Sequence, residues 1–350
     1  MIDWWQPLAG LGLFLFAMRQ IEAAIEQASG RSVRVFLRRN TDNPLQGVLT
    51  GTAVTAILQS SSLVGLMMLA LVGAGVIRMR NALAVVFGAN LGTTFTGWIV
   101  ATIGFKLDLD ALALPLVGIG GLAYVLTSKQ VSHQAARFVL SLGLLLMGLA
   151  FMKGAVDDIG AFVDLESLAD FSPMQFLLFG ALISAIVQSS SATMAITLSA
   201  LYGGVIDLPA AAAVAIGADL GTTSTVLLGA IRGSAPKKRV AAGHFLFNLV
   251  TDLLAFVLRM PLLAIVALVG ISDDLIALVA FHSLFNLIGL LLFLPVIRHV
   301  GDFLEGRFED TDVTVSRHLV SAAASVPEPA LEAVELETSH LLRRVIEQNL

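Results

Sequence analysis

Two identical tetrapeptides in this chain, each of sequence Gln-Ser-Ser-Ser, combine side chains that could bind a small ion. They occupy residues 59–62 and 188–191 of the 350 residues. Serine hydroxyls and the glutamine amide can both donate and accept hydrogen bonds. Their oxygens suit a small alkali cation, and their O–H and N–H groups suit an anion, as do exposed backbone N–H groups at a helix N-terminus. One copy alone could serve helix packing.

The two tetrapeptides belong to a longer repeat with a constant offset of 129 residues, the difference between 188 and 59. With this offset Pro44 corresponds to Pro173 without a gap. The sequence GANLGTT beginning at Gly88 likewise corresponds to GADLGTT beginning at Gly217. Two copies of one polar unit in an apolar chain are typical of membrane carriers, in which each half supplies one side of a central site.

Asn90 and Asp219 are equivalent positions of the repeat that differ in charge. An ionisable side chain within a membrane segment is a functional candidate. Asp219 could ligate a cation directly or bind a proton. The alternative is a structural carboxylate that nearby hydroxyls, such as that of Thr222, satisfy.

Two further related sequences, HFLFN beginning at His244 and HSLFN beginning at His282, place His and Asn four residues apart on one helical face. A metal site would need more ligands than such a pair provides. One interpretation is a buried His–Asn hydrogen-bonded bridge between helices. The other is a contribution of Asn248 or Asn286 to ion binding.

The composition predicts an all-α polytopic membrane protein, because 57% of the residues are hydrophobic and 13% are charged. Soluble domains carry about 25% charged residues, and the apolar stretches of roughly 20 residues suit a bilayer core. The absence of cysteine excludes disulfides, thiol chemistry and cysteine-ligated metals. The sequence contains no phosphate-binding Gly-Lys-Ser/Thr motif, no nucleophile elbow and no nucleic-acid-binding pattern. We therefore expect no enzymatic activity and no nucleic-acid partner.

The apolar segments give an order of spans around the two repeats. We expect a transmembrane domain over 1–300 and a polar tail over 301–350. The expected segments are a first helix at 8–26, repeat cores at 44–104 and 173–231, further spans near 111–127, 137–152, 240–269 and 275–297, and full repeats over about 8–127 and 137–269.

The charges between these segments predict that the repeats enter the membrane from opposite faces, because Lys and Arg concentrate in cytoplasmic loops. A basic loop precedes repeat one and an acidic loop precedes repeat two, and the signs swap after each repeat. An inverted topology requires an odd number of membrane crossings between equivalent points of the repeats, and the expected segments supply three. The alternative is a duplication in parallel orientation. The residues concerned are Arg31, Arg34, Arg38, Arg39; Asp157, Asp158, Asp164, Glu166, Asp170; Lys106, Asp108, Asp110; and Arg232, Lys237, Lys238, Arg239.

Each repeat begins with two segments that are too short to cross a bilayer. The stretch from Pro44 to Leu58 would be about 22 Å long as a helix, and that from Ser62 to Val76 is similar, whereas the bilayer core is about 30 Å thick. We expect two re-entrant helical hairpins whose polar tips, the two tetrapeptides, meet near the midplane. Irregular backbone is tolerated there if it is buried or lines a wet cavity.

The last 50 residues have a different character. A polar region after residue 300 is followed by helical apolar spacing over about 329–349. We expect a cytoplasmic domain to begin there and to continue beyond Leu350.

Taken together, the duplicated tetrapeptides, GANLGTT, GADLGTT and HFLFN resemble the type II sodium–phosphate cotransporter family, bacterial branch, over about residues 8–300. The family usually has Asn where this chain has Asp219, and the cysteine bridge of its animal members is absent. In some bacterial members a PhoU-like helical domain follows, and the tail is similar to its start. The resemblance implies that the sodium and phosphate sites are lined by Gln59, Ser60, Ser61, Ser62, Gln188, Ser189, Ser190 and Ser191, and supported by Asn90, Thr93, Thr94, Thr222 and Thr223. From its residue type, Asp219 is a further candidate for binding sodium, with Asn248 and Asn286 in support.

The function that this resemblance implies is sodium-coupled secondary transport of inorganic phosphate by alternating access. It needs no cofactor other than sodium as the coupling ion. A carrier of another small anion such as a dicarboxylate, a phosphate exporter and a membrane phosphate sensor stay open as alternatives. The expected partners are phosphate, sodium and the lipid bilayer of a bacterial inner membrane, with a cytoplasmic C-terminus and a homodimer left open.

Overall fold

The computed structural model of the chain describes residues 5–105, 109–159, 171–308 and 327–348. These residues form helices and short connections, without strands. The chain divides into two units, Met1–Phe308 and Glu309–Leu350. The described part of the second unit is one helix with a polar composition.

Twelve helices are described in the first unit and one in the second. They are α1 (Trp5–Arg39), α2 (Pro44–Leu58), α3 (Ser61–Gly73), α4 (Met79–Ile99, extended by a π-helical turn over Val100–Gly104), α5 (Leu109–Leu126), α6 (Gln130–Ile159), α7 (Pro173–Val187), α8 (Ser190–Tyr202), α9 (Leu208–Ala230), α10 (Ala235–Val257), α11 (Arg259–Leu268), α12 (Asp274–Glu305) and α13 (Pro327–Gln348).

Six of the described helices are long and apolar enough to cross a membrane, namely α1, α4, α6, α9, α10 and α12. The remaining helices of the first unit are shorter, and they include the two pairs around the tetrapeptides. Large apolar side chains on these short helices face outwards: Leu49 on α2 is 62% exposed, and its equivalent Leu178 on α7 is 59% exposed. These findings confirm an all-α polytopic membrane protein, since such apolar surface suits lipid.

The same packing occurs in both repeats at positions 129 residues apart. A Cβ atom on Gly51 of α2 would lie 2.8 Å from the carbonyl carbon of Val85 on α4. A Cβ atom on Gly180 of α7 would lie 2.9 Å from the carbonyl carbon of Val214 on α9. Helix α2 therefore packs on α4 as α7 packs on α9, with backbones in contact through glycine.

The starts of α2 and α7 also follow one pattern. Asn43 Oδ1 accepts a hydrogen bond of 3.0 Å from the backbone N of Gln46, and Ser172 Oγ accepts one of 3.4 Å from that of Gln175. A proline follows each cap, where its missing N–H group costs nothing. These caps fix where each repeat core begins.

Two of the expected basic loops are wrong in extent, because all of their basic residues except Arg232 lie in helices. Helix α1 continues to Arg39, so the basic stretch before repeat one is its C-terminal part. Arginine favours helix formation, and basic side chains are favoured at a helix C-terminus. Helix α10 already begins at Ala235, so Lys237, Lys238 and Arg239 are also helical.

The single segment expected over 240–269 is also wrong, because it consists of α10 and α11 with a break at Leu258. Pro261 in the first turn of α11 explains the break, since proline lacks an N–H group and clashes with the carbonyl of residue i−4. Asp157 and Asp158 lie at the end of α6. Lys106, Asp108, Asp164, Glu166 and Asp170 lie outside the described residues, so the charge-based topology stays a prediction.

Gly180→Ala tests the contact between α7 and α9. The added methyl group would press on the Val214 backbone, so we expect the free energy of unfolding to fall by about 1–3 kcal/mol. Gly12→Ala on α1 is the matched control, because a Cβ atom there meets no atom within 4 Å. Thermal unfolding in detergent would check both, and equal behaviour of the two variants would contradict this packing.

Candidate functional site

Each Gln-Ser-Ser-Ser tetrapeptide breaks the chain between two short helices. Gln59 and Gln188 adopt a left-handed backbone, with φ of 57° and 58°, which non-glycine residues rarely adopt. The next residue begins a new helix as its cap: Ser60 Oγ accepts a hydrogen bond of 3.3 Å from the backbone N of Leu63. Ser189 Oγ accepts one of 3.2 Å from Ala192. The first serine of each tetrapeptide therefore fixes the helix start.

Each break brings two unlike helix ends close together. The first turns of α3 and α8 carry N–H groups without intrahelical partners, and the last turns of α2 and α7 carry carbonyl groups without them. A helix N-terminus has a partial positive charge and a C-terminus a partial negative charge. Each tetrapeptide therefore combines a surface that attracts anions with one that attracts cations.

Both tetrapeptides line one cavity of about 260 Å³. At roughly 30 Å³ per water molecule in the liquid, this volume has room for about nine waters, or for a small oxyanion together with ions. Its lining includes residues of α1, both breaks and α9. The polar lining residues are Arg19, Glu22, Gln59, Ser60, Ser61, Ser62, Gln188, Ser189, Ser190, Ser191, Thr222 and Thr225.

A buried threonine of α4 connects the two tetrapeptides. Thr96 Oγ1 donates to Gln59 Oε1 at 2.8 Å, and Ser191 Oγ donates to Thr96 Oγ1 at 3.2 Å. Its equivalent on α9, Thr225, lines the cavity, and its hydroxyl has no hydrogen-bond partner among the described residues. The sequence interpretation missed both threonines, although extending the comparison of GANLGTT with GADLGTT by two residues would have found them.

Helix α1 adds charged side chains to the cavity that the sequence interpretation also missed. Arg19 and Glu22 both line it. The Glu22 carboxyl is close enough to Ser60 and Arg19 to interact with both. The available signal was the presence of two charges in an apolar span, since such residues are expensive in a membrane and usually functional.

Several predicted site residues lie instead in a buried hydrogen-bond network. Asn90 Nδ2 donates to Asn248 Oδ1, and Asn90 Oδ1 accepts from His244 Nε2 at 3.2 Å. Asn248 Nδ2 donates to the backbone carbonyl of Asp219 at 3.0 Å. His244 and Asn248 thus bridge α10 to α4 and α9, as one of the two interpretations proposed. Asn90, Asp219 and Asn286 do not line the cavity.

The predicted threonines bond mainly to their own helices. Thr93 and Thr94 donate to backbone carbonyls one turn earlier on α4, and Thr223 does so on α9. Thr222 donates to the carbonyl of Ala218 at 2.9 Å. The alternative that Thr222 satisfies the Asp219 carboxylate is therefore wrong, and within the described residues Asp219 Oδ2 has no partner.

The Na+/Pi-cotransporter family model matches residues 13–154 and 165–293. The chain belongs to this family. An uncharacterized protein, YqeW of Bacillus subtilis, is 30% identical over 287 residues, which cover 81% of this chain and 91% of that protein. No solved structure matches the chain.

Other relatives carry functional names. The putative inorganic phosphate export protein YjbB of Escherichia coli K12 is 27% identical over 345 residues, 95% of this chain and 61% of YjbB, so the chain spans about three fifths of that relative. The sodium-dependent phosphate transport protein 2A of Mus musculus is 31% identical over 96 residues, 27% of this chain and 15% of that protein.

Gln188→Val tests the left-handed backbone at the second break. A left-handed conformation costs about 1–2 kcal/mol for an ordinary residue, and a β-branched side chain tolerates it worst. We expect Val to lower the thermal unfolding temperature in detergent. Gln188→Asn is the matched variant and should leave it unchanged, because Asn is enriched in this conformation. Equal stability of the two variants would contradict the assigned geometry.

Proposed function

We propose that this protein is a sodium-coupled phosphate carrier that works by alternating access around the cavity between the two tetrapeptides. The observation that carries the proposal is that Gln59–Ser62 and Gln188–Ser191 line a single cavity. This places four helix ends, two of each polarity, around one space large enough for a small anion and its coupling ions. Membership of the family and the names of the relatives support the choice of phosphate and sodium.

Phosphate is proposed to bind to the N-terminal turns of α3 and α8. Backbone N–H groups and the partial positive charge of a helix N-terminus stabilise oxyanions. The hydroxyls of Ser61, Ser62 and Ser190 add donors in those turns. Arg19 supplies a full positive charge, and a guanidinium matches the geometry of two phosphate oxygens.

Sodium is proposed to bind to oxygens at the other ends of the breaks. Val187 at the end of α7, Gln188 and Glu22 line the cavity, and their carbonyl, amide and carboxylate oxygens are hard ligands. Carboxylate and carbonyl oxygens suit such cations. Bound sodium offsets the charge of phosphate, so both are expected to load together.

The short helices on either side of each break are proposed to be re-entrant hairpins of an inverted repeat. Helices α2 and α7 each contain 15 residues, which makes them about 22 Å long, shorter than the bilayer core. Entry from opposite faces would bring both breaks to a common depth. We place the protein in a bacterial plasma membrane, with its C-terminus in the cytoplasm.

The energetics of uptake require more than one sodium ion per phosphate. Moving one charge through 100 mV is worth about 2.3 kcal/mol, and a tenfold gradient is worth about 1.4 kcal/mol. One sodium ion thus releases about 3.7 kcal/mol, whereas a phosphate dianion entering against the potential costs about 4.6 kcal/mol. At least two sodium ions are therefore needed for uptake.

A second candidate function is phosphate export, which the similarity to YjbB over 95% of this chain favours. With two sodium ions per phosphate, the potential and sodium gradient above favour uptake by about 2.8 kcal/mol, so a symporter of this stoichiometry expels phosphate only when phosphate is about 100-fold higher inside. Export below that ratio would need efflux that does not depend on sodium. Phosphate efflux from loaded vesicles, measured with sodium or choline outside, distinguishes the two functions.

Proteoliposomes containing the purified protein test the coupling. We expect an imposed sodium gradient to drive accumulation of radioactive phosphate, and an equal choline gradient to drive none. Excess dicarboxylate should not compete. Phosphate accumulation that does not depend on the sodium gradient would refute sodium coupling.

The same assay tests the site. The double variant Gln59→Ala, Gln188→Ala is expected to lose uptake, because it removes both amides from the cavity lining. Gln46→Ala and Gln175→Ala, at equivalent positions in the first turns of α2 and α7, provide a double control that does not line the cavity. Normal uptake by the first double variant would refute the assignment.

Arg19→Gln tests the proposed positive charge of the phosphate site. A hydrogen bond to a charged group is worth about 1.5–3 kcal/mol, so the KM for phosphate should rise about 10- to 100-fold. Arg38→Gln is the matched control, since Arg38 lies on the same helix, is exposed and does not line the cavity. An unchanged KM in Arg19→Gln would remove this residue from the site.

A further inference from the structure

The cavity between the two tetrapeptides contains a carboxyl group as well as a guanidinium. Among the described residues that line it, Glu22 is the one acid and Arg19 is the one base. The other polar lining residues are glutamines, serines and threonines. A fixed negative charge repels an anion that shares its cavity, so the presence of Glu22 in a proposed phosphate site needs a reason of its own.

A structural ion pair with Arg19 does not provide that reason. The two side chains lie three residues apart on α1, on one helical face. The ion pair that forms within the described part of the chain nevertheless joins Arg80 and Asp302. The Glu22 carboxyl is close enough to Ser60 to interact with its hydroxyl, which supplies one donor. Since a carboxylate can accept about four hydrogen bonds, acceptor capacity is left for a ligand.

The second repeat has no equivalent of this charged turn. With the offset of 129 residues, Arg19 corresponds to Gly148 and Glu22 to Phe151, both on α6. A Cβ atom on Gly148 would lie 2.7 Å from the backbone N of Phe14, so this turn of α6 packs closely on α1. The helical frame that the repeats share therefore does not require charges here, which favours a role for Glu22 in the cavity.

The chemistry of tetrahedral anions indicates what such a carboxylate can recognise. Near neutral pH phosphate and sulfate are both dianions of similar shape, but phosphate keeps an O–H group and sulfate has none. An ionised carboxylate is an acceptor without a proton to donate, so it can bind the O–H group of phosphate and repels every oxygen of sulfate. A site built to bond a substrate O–H group strongly rejects an analogue that lacks it.

We propose that Glu22 selects phosphate against sulfate by accepting a hydrogen bond from the protonated oxygen of the anion. The inference rests on the proposed function in taking phosphate as the substrate, and it assigns the specificity of that site to one residue. Arg19 and the two helix starts supply donors to the unprotonated oxygens, whereas Glu22 supplies the acceptor. A carboxylate has two oxygens, so one can contact sodium while the other contacts phosphate.

Competition against sodium-driven uptake of radioactive phosphate into proteoliposomes tests this role. The competitors are sulfate and arsenate, because arsenate is a tetrahedral dianion that carries an O–H group as phosphate does. In the wild type we expect arsenate to inhibit at far lower concentration than sulfate. In Glu22→Gln the ratio of the half-inhibitory concentrations, sulfate to arsenate, should fall about 10- to 100-fold, the value of one hydrogen bond to a charged group.

The ratio isolates the hydrogen bond from the charge, since removing a negative charge favours both dianions alike. Glu26→Gln is the matched control, because Glu26 lies one turn later on α1 and does not line the cavity. It should keep the ratio of the wild type. If Glu22→Gln does not transport, the concentrations of sulfate and arsenate that stabilise the purified variant against heat, at fixed sodium, give the same ratio.

An unchanged ratio in Glu22→Gln would overturn this role, and so would a wild type that sulfate and arsenate inhibit equally. A higher half-maximal sodium concentration with an unchanged ratio would leave Glu22 as a sodium ligand alone and the proposed function standing. Phosphate uptake that does not depend on sodium, with the ratio changed as expected, would refute the coupling and leave the selectivity of Glu22 standing.

Discussion

A helix that breaks within an apolar environment leaves backbone N–H and carbonyl groups without helical partners, and this chain does so twice. Gln59 and Gln188 hold the left-handed conformations that turn one helix end towards the start of the next. The left-handed conformation costs free energy, and it persists at a break that presents both helix polarities to one cavity. Side-chain hydroxyls then extend the set of donors and acceptors. The candidate site therefore combines backbone groups at the helix ends with side-chain hydroxyls.

The glycine contacts explain how two such breaks can lie close together. Gly51 and Gly180 allow α2 and α7 to touch the backbones of α4 and α9, which fixes each break relative to a long helix. Thr96 then connects Gln59 of the first repeat to Ser191 of the second. This connection joins the two repeats directly.

The two repeats share their glycine contacts and differ in charge. Asp219 of the second repeat stands where the first has Asn90, and a hydrogen-bond network through Asn248 joins these two residues. Arg19 and Glu22 come from α1, outside both breaks. The glycine contacts are therefore shared by the two repeats, whereas the charged side chains are not.

Composition and the 129-residue repeat determined the helical membrane class, the positions of both breaks and the equivalence of their polar residues, because these are local properties. The sequence could not show that α1 continues through its arginines or that Pro261 divides the segment after repeat two, since competing local preferences decide helix ends. It also gave no means to divide the predicted binding residues into a cavity set and a buried network. Only the tertiary structure decided that division and the positions of Arg19, Glu22 and Thr96. Both depend on which faces of helices distant in sequence pack together.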